Sequence, residues 1–494
     1  MKLFSLIRCF AFACMLFWAE MPHDRTWAED RNQQPDSATV EPENSELTCP
    51  QDLPAAIEKI IQRPELARSR WGIEIQTISG ESLYSLNGDK FFTPASAAKL
   101  LVSAAGLLEL GADYRIETPI YSVGSPPNLT SLRLKGQGDP TITTQSLKSI
   151  VHQLQIKGVE RIENLIIDDS YFEPPAINPT WEWLDVHSYF ATAVNSTILN
   201  QNAVTLTLLP QQIGQPVKYF WSDAIAAKQW QIDNQAVTGK ANIEYDVEID
   251  GDLGKPLLQL RGELAVNEPP DVWDLAVVDP AQYFLESLWL HLEREGIDVV
   301  RGTVVERSQR NKLETESIAI SSPPLQQIIE EINQESNNLY AEALGKILAE
   351  ELDVETATEA IAHSLSKIGI KPDEYVLVDA SGLSRQNLIT PQTLVEILRL
   401  MSQLPQSKSY RQSLAMAGIN GTLKRRFDNT FISGNLLGKT GTLTGVSTLS
   451  GYLFTNEHDS LFFSIVVNNS ELNSRAIRQA IDEIVVTANT LKKC

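Results

Sequence analysis

Apolar and polar residues alternate through Gly72-Ile73-Glu74-Ile75-Gln76-Thr77-Ile78. Ser79-Gly80-Glu81 then turns the chain into Ser82-Leu83-Tyr84-Ser85-Leu86, which keeps the same two-residue period. That period puts successive side chains on opposite faces of a strand, so the stretch predicts a hairpin. After Pro94 the spacing becomes helical: Leu100, Leu101, Ala104, Leu107 and Leu108 fall on one stripe of a helix from Ser96 to Leu110, closed by Gly111. From about Ile116 to Val278 short alternating segments are separated by Gly, Pro, Asn and Asp, which predicts a β-rich region. Helical spacing returns in Gln282 to Glu295, Leu325 to Leu352, Thr356 to Ile368 and Pro391 to Leu404. The chain then finishes with strands Thr448 to Phe454 and Leu461 to Val467 and an amphipathic helix from Ser474 to Leu491. No repeat occurs at solenoid periods.

The N-terminus breaks this pattern. Met1 to Arg8 carries two cations and is followed by an uninterrupted apolar run, Cys9 to Ala19, of signal-peptide length and too short to span a bilayer comfortably. With a small-x-small site at Thr26-Trp27-Ala28, residues 1–28 are expected to be a signal peptide and the protein to be exported to the periplasm or cell envelope. Cleavage nearer Ala19 and an uncleaved anchor are the alternatives. Ala11-Phe12-Ala13-Cys14 is a poor lipobox, because it lies inside the apolar run. Residues 29–49 read as a disordered acidic linker, with folding from near Pro50.

Length and charge narrow the class. The chain has 494 residues, 43% hydrophobic and 21% charged, enough for about three globular domains. A formal net charge of -22 repels phosphate backbones, so nucleic acid is not an expected partner. Of the four cysteines, Cys9 and Cys14 leave with the signal segment, so Cys49 and Cys494 remain at the two ends. Chain termini often lie close together and export leads to an oxidising compartment, so a Cys49–Cys494 disulfide is expected, with two free thiols as the alternative.

Three short elements carry chemistry. In Pro94-Ala95-Ser96-Ala97-Ala98-Lys99, serine and lysine three residues apart share a helix face, where a poorly solvated amine can take the hydroxyl proton. Ser336-Asn337-Asn338 offers a hydroxyl that can relay a proton and an amide that can hold a carbonyl. Gly438-Lys439-Thr440-Gly441-Thr442 sets an ammonium and hydroxyls between glycines, which suits a carboxylate. Each alone is common in unrelated proteins. Together, in this order, they form the S-x-x-K, S-x-N and K-T-G set of serine penicillin-binding enzymes.

On these residues the chain resembles the class C low-molecular-mass penicillin-binding proteins, which are D-alanyl-D-alanine carboxypeptidases/endopeptidases. Gly136-Gln137-Gly138-Asp139-Pro140, Ile167-Asp168-Asp169-Ser170-Tyr171-Phe172, Leu339-Tyr340-Ala341-Glu342 and Asp379-Ala380-Ser381-Gly382-Leu383-Ser384-Arg385 extend the resemblance from about residue 50 to the end. It implies an α/β (α+β) fold: a penicillin-binding-protein/β-lactamase-like transpeptidase domain, with an antiparallel sheet flanked by helices and one or two inserted β-rich domains. The expected boundaries are 50–115 and 279–494 for the two parts of the catalytic domain and 116–278 for the insertion.

The resemblance also implies roles. Ser96 attacks the carbonyl between two D-alanines, Lys99 is the base and Ser336 passes the proton to the leaving amine. Asn338 holds the acyl-chain amide, Lys439, Thr440, Gly441 and Thr442 bind the substrate with its terminal carboxylate, and the backbone N–H groups of Ser96 and Thr442 supply the oxyanion donors. Ser381, Arg385 and Asp168 lie in stretches that line the family's substrate pocket. The partners implied are peptidoglycan stem peptides ending in D-Ala-D-Ala and β-lactams as covalent inhibitors, with room for a peripheral membrane contact. No cofactor is implied. Two positions depart from the family's usual pattern: Asn337 for Asp, and Ala380 for Gly, the latter expected to narrow the pocket beside Ser381.

Other readings fare less well. The 236 residues from 100 to 335 exceed what a β-lactamase of this fold requires, and no segment stands out as its water-activating loop. The six histidines are scattered without H-E-x-x-H, no metal site is expected, and Gly-x-Ser-x-Gly is absent. A catalytically dead wall-binding protein is the remaining non-enzymatic alternative.

Overall fold

The computed structural model describes residues 47–494, apart from 253, 308–312, 429 and 456. The expected signal peptide, 1–28, and most of the expected linker lie outside the described residues.

Both ends of the chain meet in one antiparallel sheet of six strands. Its order is Ala415–Met416, Leu436–Leu443, Val446–Leu453, Leu461–Asn468, Arg70–Thr77 and Ser82–Leu86. The N-terminal hairpin thus joins the last strand, with Ile73 opposite Ile465 and Ile75 opposite Phe463. Val446–Leu453 and Leu461–Asn468 are buried along their whole length, as strands covered on both faces must be. Leu449, Phe463, Ile465 and Val467 pack on one face with helices Leu53–Ile61 and Ser474–Asn489. Tyr452, Phe462 and Val466 pack on the other face with helix Lys99–Glu109. That helix is buried on nearly every side, which explains why its apolar residues overflow a single stripe.

A second body is inserted after the Lys99 helix. Its five-stranded sheet runs Asp298–Val305, Arg161–Asp168, Asn128–Lys135, Glu117–Ser125 and Thr315–Ser321, and smaller sheets formed within 203–276 adjoin its core. The expected boundary at 278/279 is too early. Helix Pro280–Arg294 buries Tyr283, Phe284, Leu285 and Leu288 in the inserted core, and Asp298–Val305 pairs in parallel with Arg161–Asp168. The insertion therefore extends to about Ser321. Apolar spacing alone does not reveal which body a helix packs against. The region, expected to be β-rich, also holds a helix, Thr144–Ile156, for which no expectation was made.

The ends are stapled. Cys49 and Cys494 form a disulfide with Cα atoms 5.8 Å apart, and the Thr48 amide donates to the Thr490 carbonyl at 3.0 Å. No helix among the described residues is long and apolar enough to cross a membrane.

Candidate active site

Ser96 is carried on a short 3-10 turn, Ala95–Ala98, that runs directly into helix Lys99–Glu109. Ala95 takes a left-handed backbone (φ 49°), the kind of local strain that persists where its surroundings over-determine it. Gly382 presses on this turn: a Cβ there would sit 2.0 Å from the Ala95 carbonyl oxygen, so only glycine fits. Three residues on from Ser96, the fully buried Lys99 directs Nζ at Ser96 Oγ (2.8 Å), Asn338 Oδ1 (2.6 Å) and the Ser381 carbonyl (2.7 Å).

The continuous helix expected over 325–352 is broken between Leu325–Gln334 and Asn338–Leu352. The break falls on Ser336, whose left-handed backbone (φ 62°) ends the helical hydrogen-bond ladder. Asn337 then caps the second helix through the Tyr340 amide and donates from Nδ2 to Gln201 Oε1 and Glu331 Oε1. An aspartate could cap equally well but would set a second carboxylate against Glu331, a physical reason for Asn at this position. Ser336 Oγ accepts from Lys439 Nζ at 2.9 Å. Lys439 lies on strand Leu436–Leu443, itself part of the sheet, and it too is fully buried. Thr440 donates to Thr422 Oγ1 at 2.8 Å. Gly441 backs onto the Ser96 turn, where a Cβ would lie 2.8 Å from Pro94 O and 3.0 Å from Ser96 N.

One face of helix Asn338–Leu352 organises the surroundings through residues four apart. Asn338 spends its other end on the Phe190 carbonyl (Nδ2, 2.8 Å), tying the inserted body to the site. Glu342 accepts from the Ala380 and Ser381 amides with one oxygen, Oε1, at 3.0 and 2.8 Å. Burial, and secondly the Asp379 carboxylate, push the Glu342 carboxyl up to about 7. Lys346 donates to the carbonyls of Glu173 and Pro175. Asp379 in turn accepts from the Gly382 and Ser384 amides, Asn387 and Trp181.

Comparison with known proteins decides the family. The D-Ala-D-Ala carboxypeptidase 3 (S13) family matches residues 53–488. The chain belongs to this family. A D-alanyl-D-alanine carboxypeptidase of Actinomadura sp. is 30% identical, covering 84% of this chain and 81% of its own. A penicillin-sensitive carboxypeptidase A of Dictyostelium discoideum is 27% identical over 88% and 91% of the two chains. Among solved structures, penicillin binding protein 4 (dacB) of Haemophilus influenzae superposes with a TM-score of 0.77 at 23% identity, covering 88% of this chain and 99% of that one. The mixed α/β fold with its antiparallel sheet is thus shared, and this S13 member is a serine-type D-Ala-D-Ala carboxypeptidase.

Within this S13 chain the remaining expected residues separate. Arg385 reaches out of the 379–385 loop to Glu182 Oε1 and to the Thr444 carbonyl, both at 3.0 Å, beside the far end of the Lys439 strand. Ser381 contributes its carbonyl to Lys99, while its own hydroxyl accepts the Leu383 amide and is buried. Thr442 sits half-buried on the Lys439 strand. Asp168 is not brought to the cluster. It lies fully buried at the end of an inserted strand, where its carboxylate meets Arg133 at 2.8 Å and caps Ser170. Ala380 does not narrow the pocket: it is buried, with its methyl facing Gly345, where a Cβ would come within 3.1 Å of it.

Sequence reasoning missed Glu342, the Phe190 carbonyl and the acids of segment 181–190. Asp185 there feels burial first, then Glu182, both raising its pKa, while Arg385 draws it back down. Beside the family resemblance of the stretch that ends at Glu342, the i, i+4 spacing of Asn338, Glu342 and Lys346 was an available signal, and it pointed to a face without naming its neighbours.

Proposed function

We propose that Ser96 is the nucleophile and Lys99 its base in the hydrolysis of stem peptides ending in D-Ala-D-Ala. The observation that carries this reading is the set of oxygens around Lys99 Nζ. A neutral amine has two N–H groups and one lone pair. The oxygens of Asn338 Oδ1 and Ser381 O have no proton to give, so they take the two N–H groups. The Ser96 hydroxyl at 2.8 Å can supply a proton, and in this reading the lone pair faces it.

Ser96 Oγ then attacks the scissile carbonyl and its proton moves to Lys99. Backbone amides of Ser96 and Thr442 are the proposed oxyanion donors, a contribution of about 3–4 kcal/mol for each donor. Ser336, hydrogen-bonded to Lys439, passes that proton on: its hydroxyl protonates the departing amine and is reprotonated at the expense of Lys99, which returns to the neutral amine. Lys439, Thr440 and Thr442 receive the terminal carboxylate, and Gly441 lets the strand lie against the Ser96 turn. The second N–H of Asn338 Nδ2 holds the acyl-chain amide, with Arg385 at the pocket's acyl end. Water releases the acyl-enzyme. A β-lactam presents the same carbonyl and carboxylate but keeps its leaving amine tethered, so it acylates Ser96 and departs slowly. The reading places the protein in the cell envelope after removal of residues 1–28, in peripheral contact with the membrane at most.

Intact-mass analysis after incubation with benzylpenicillin tests it. One adduct on the wild type, none on Ser96→Ala and slow nitrocefin turnover are expected; an undiminished adduct on Ser96→Ala overturns it.

A further inference from the structure

Residues along strand Leu436–Leu443 and its extension are ordered with respect to the bond that is cut. Arg385 binds at Thr444, Gly441 abuts the Ser96 amide, and Lys439 and Thr440 follow with Ser336 and Thr422. If the acyl half lies toward Thr444 and the carboxylate at Lys439, the leaving half continues toward Leu437. Leu437 shares a strand face with Lys439 and opens into a separate cavity of about 300 Å³.

This cavity lies between helix Ser407–Gln412 and strand Ala415–Met416. Met416 and Leu437 supply apolar wall, and Lys408 and Arg411 bring two cations. Neither cation forms an ion pair among the described residues, in a chain whose net charge is -22. The wall is continuous with the site: Asn420 Nδ2 donates to Gln334 Oε1 (3.2 Å), two residues before Ser336, and Thr422 bonds Thr440. From Gly441 to Leu437 is four residues, about 13 Å at 3.3–3.4 Å per residue.

Resting on the reading of the preceding subsection, we propose that this cavity is a subsite for the leaving half of a cross-linked substrate. Its ligand is an anionic stem peptide whose free carboxylate meets Lys408 and Arg411 while its aliphatic part lies on Met416 and Leu437. A released D-alanine is a single residue and ends at Lys439, so it never reaches the cavity. The subsite therefore acts on endopeptidase cleavage and leaves carboxypeptidase cleavage alone.

Three measurements on Lys408→Ala/Arg411→Ala and on Arg411→Glu test this: benzylpenicillin acylation, hydrolysis of a D-Ala-D-Ala pentapeptide, and cleavage of a purified cross-linked muropeptide dimer. Acylation and pentapeptide hydrolysis are expected to stay within twofold of wild type. Cleavage of the dimer is expected to fall about 5- to 30-fold in kcat/KM, mostly through KM, as the loss of two partly exposed charge contacts gives. The wild-type KM for the dimer should also rise with salt. Equal losses on dimer and pentapeptide, no loss on the dimer, or a wild type that cleaves no dimer each overturn the subsite. Absence of a penicillin adduct on Ser96 instead overturns the parent reading.

Discussion

Replacing Glu342 separates two things a buried carboxyl can do. Its Oε1 accepts both the Ala380 and Ser381 amides, and the same Ser381 residue presents its carbonyl to Lys99 Nζ. Glu342→Ala strands two buried N–H groups, each costing about 1–3 kcal/mol, so a loss of roughly 2–6 kcal/mol is expected out of a typical total of about 5–15. The Ser381 carbonyl is then free to drift, Lys99 loses a fixed acceptor, and the acylation rate should fall by about tenfold or more. Glu342→Gln retains the oxygen that accepts both bonds. It should keep acylation within about threefold of wild type.

The charge shows itself in pH dependence. The carboxyl rises from 4.5 to about 7 on folding, so between those values the native state binds the extra proton. By linkage, stability then falls as pH rises through that window, reaching roughly 3 kcal/mol of lost stability above pH 7 and none below 4.5. Glu342→Gln cannot titrate. Its stability relative to wild type should therefore increase from pH 5 to pH 8. Urea unfolding across that range, with acylation by a fluorescent penicillin at each pH, checks both halves. A Gln variant as impaired in acylation as the Ala variant would refute the argument, because charge and not the accepting oxygen would then be holding the loop.

Other perturbations follow from geometry already described. Arg133→Met leaves Asp168 buried without its partner and should cost about 3–5 kcal/mol of stability while folded protein acylates normally, measurable as a lowered Tm with an unchanged acylation rate. Gly345→Ala puts a methyl 3.0 Å from Ala357 Cβ and 3.1 Å from Ala380 Cβ and should destabilise by about 1–3 kcal/mol; adding Ala380→Gly should recover part of that in a double-mutant cycle. Reducing Cys49–Cys494 opens a span of 445 residues, for which chain entropy gives about 6 kcal/mol and measured bridges about 2–4. Thiol titration with and without reductant, beside urea unfolding, checks this, and equal titres would mean no bridge.

Ser96, Lys99, Ser336, Asn338 and Lys439, which the structure brings together, could be picked out because the proposed chemistry constrains residue type and local spacing together. What surrounds them was not. Glu342 and Ala380 act through contacts between segments about forty residues apart, and a sequence pattern records that a position is buried without saying what buries it. Asp168 misled for the same reason: an acid in a familiar stretch looks the same whether it faces substrate or Arg133. The late boundary of the insertion arose likewise, since helix Pro280–Arg294 has an apolar stripe that either body could have covered. The break at Ser336 left no signal at all in the hydrophobic spacing, because the residues on both sides remain in phase with a helix.

The sheet has a bearing on the protein's birth. Strand Arg70–Thr77 finds its partner in Leu461–Asn468, several hundred residues later, and Lys439 reaches Ser336 across a further span of about a hundred residues. Contacts of such sequence separation form slowly and late. A chain still emerging, or one truncated before residue 461, carries Ser96 and Lys99 on a turn with no sheet to lean on. Assembly of the Ser96 cluster is thereby made conditional on a folded sheet.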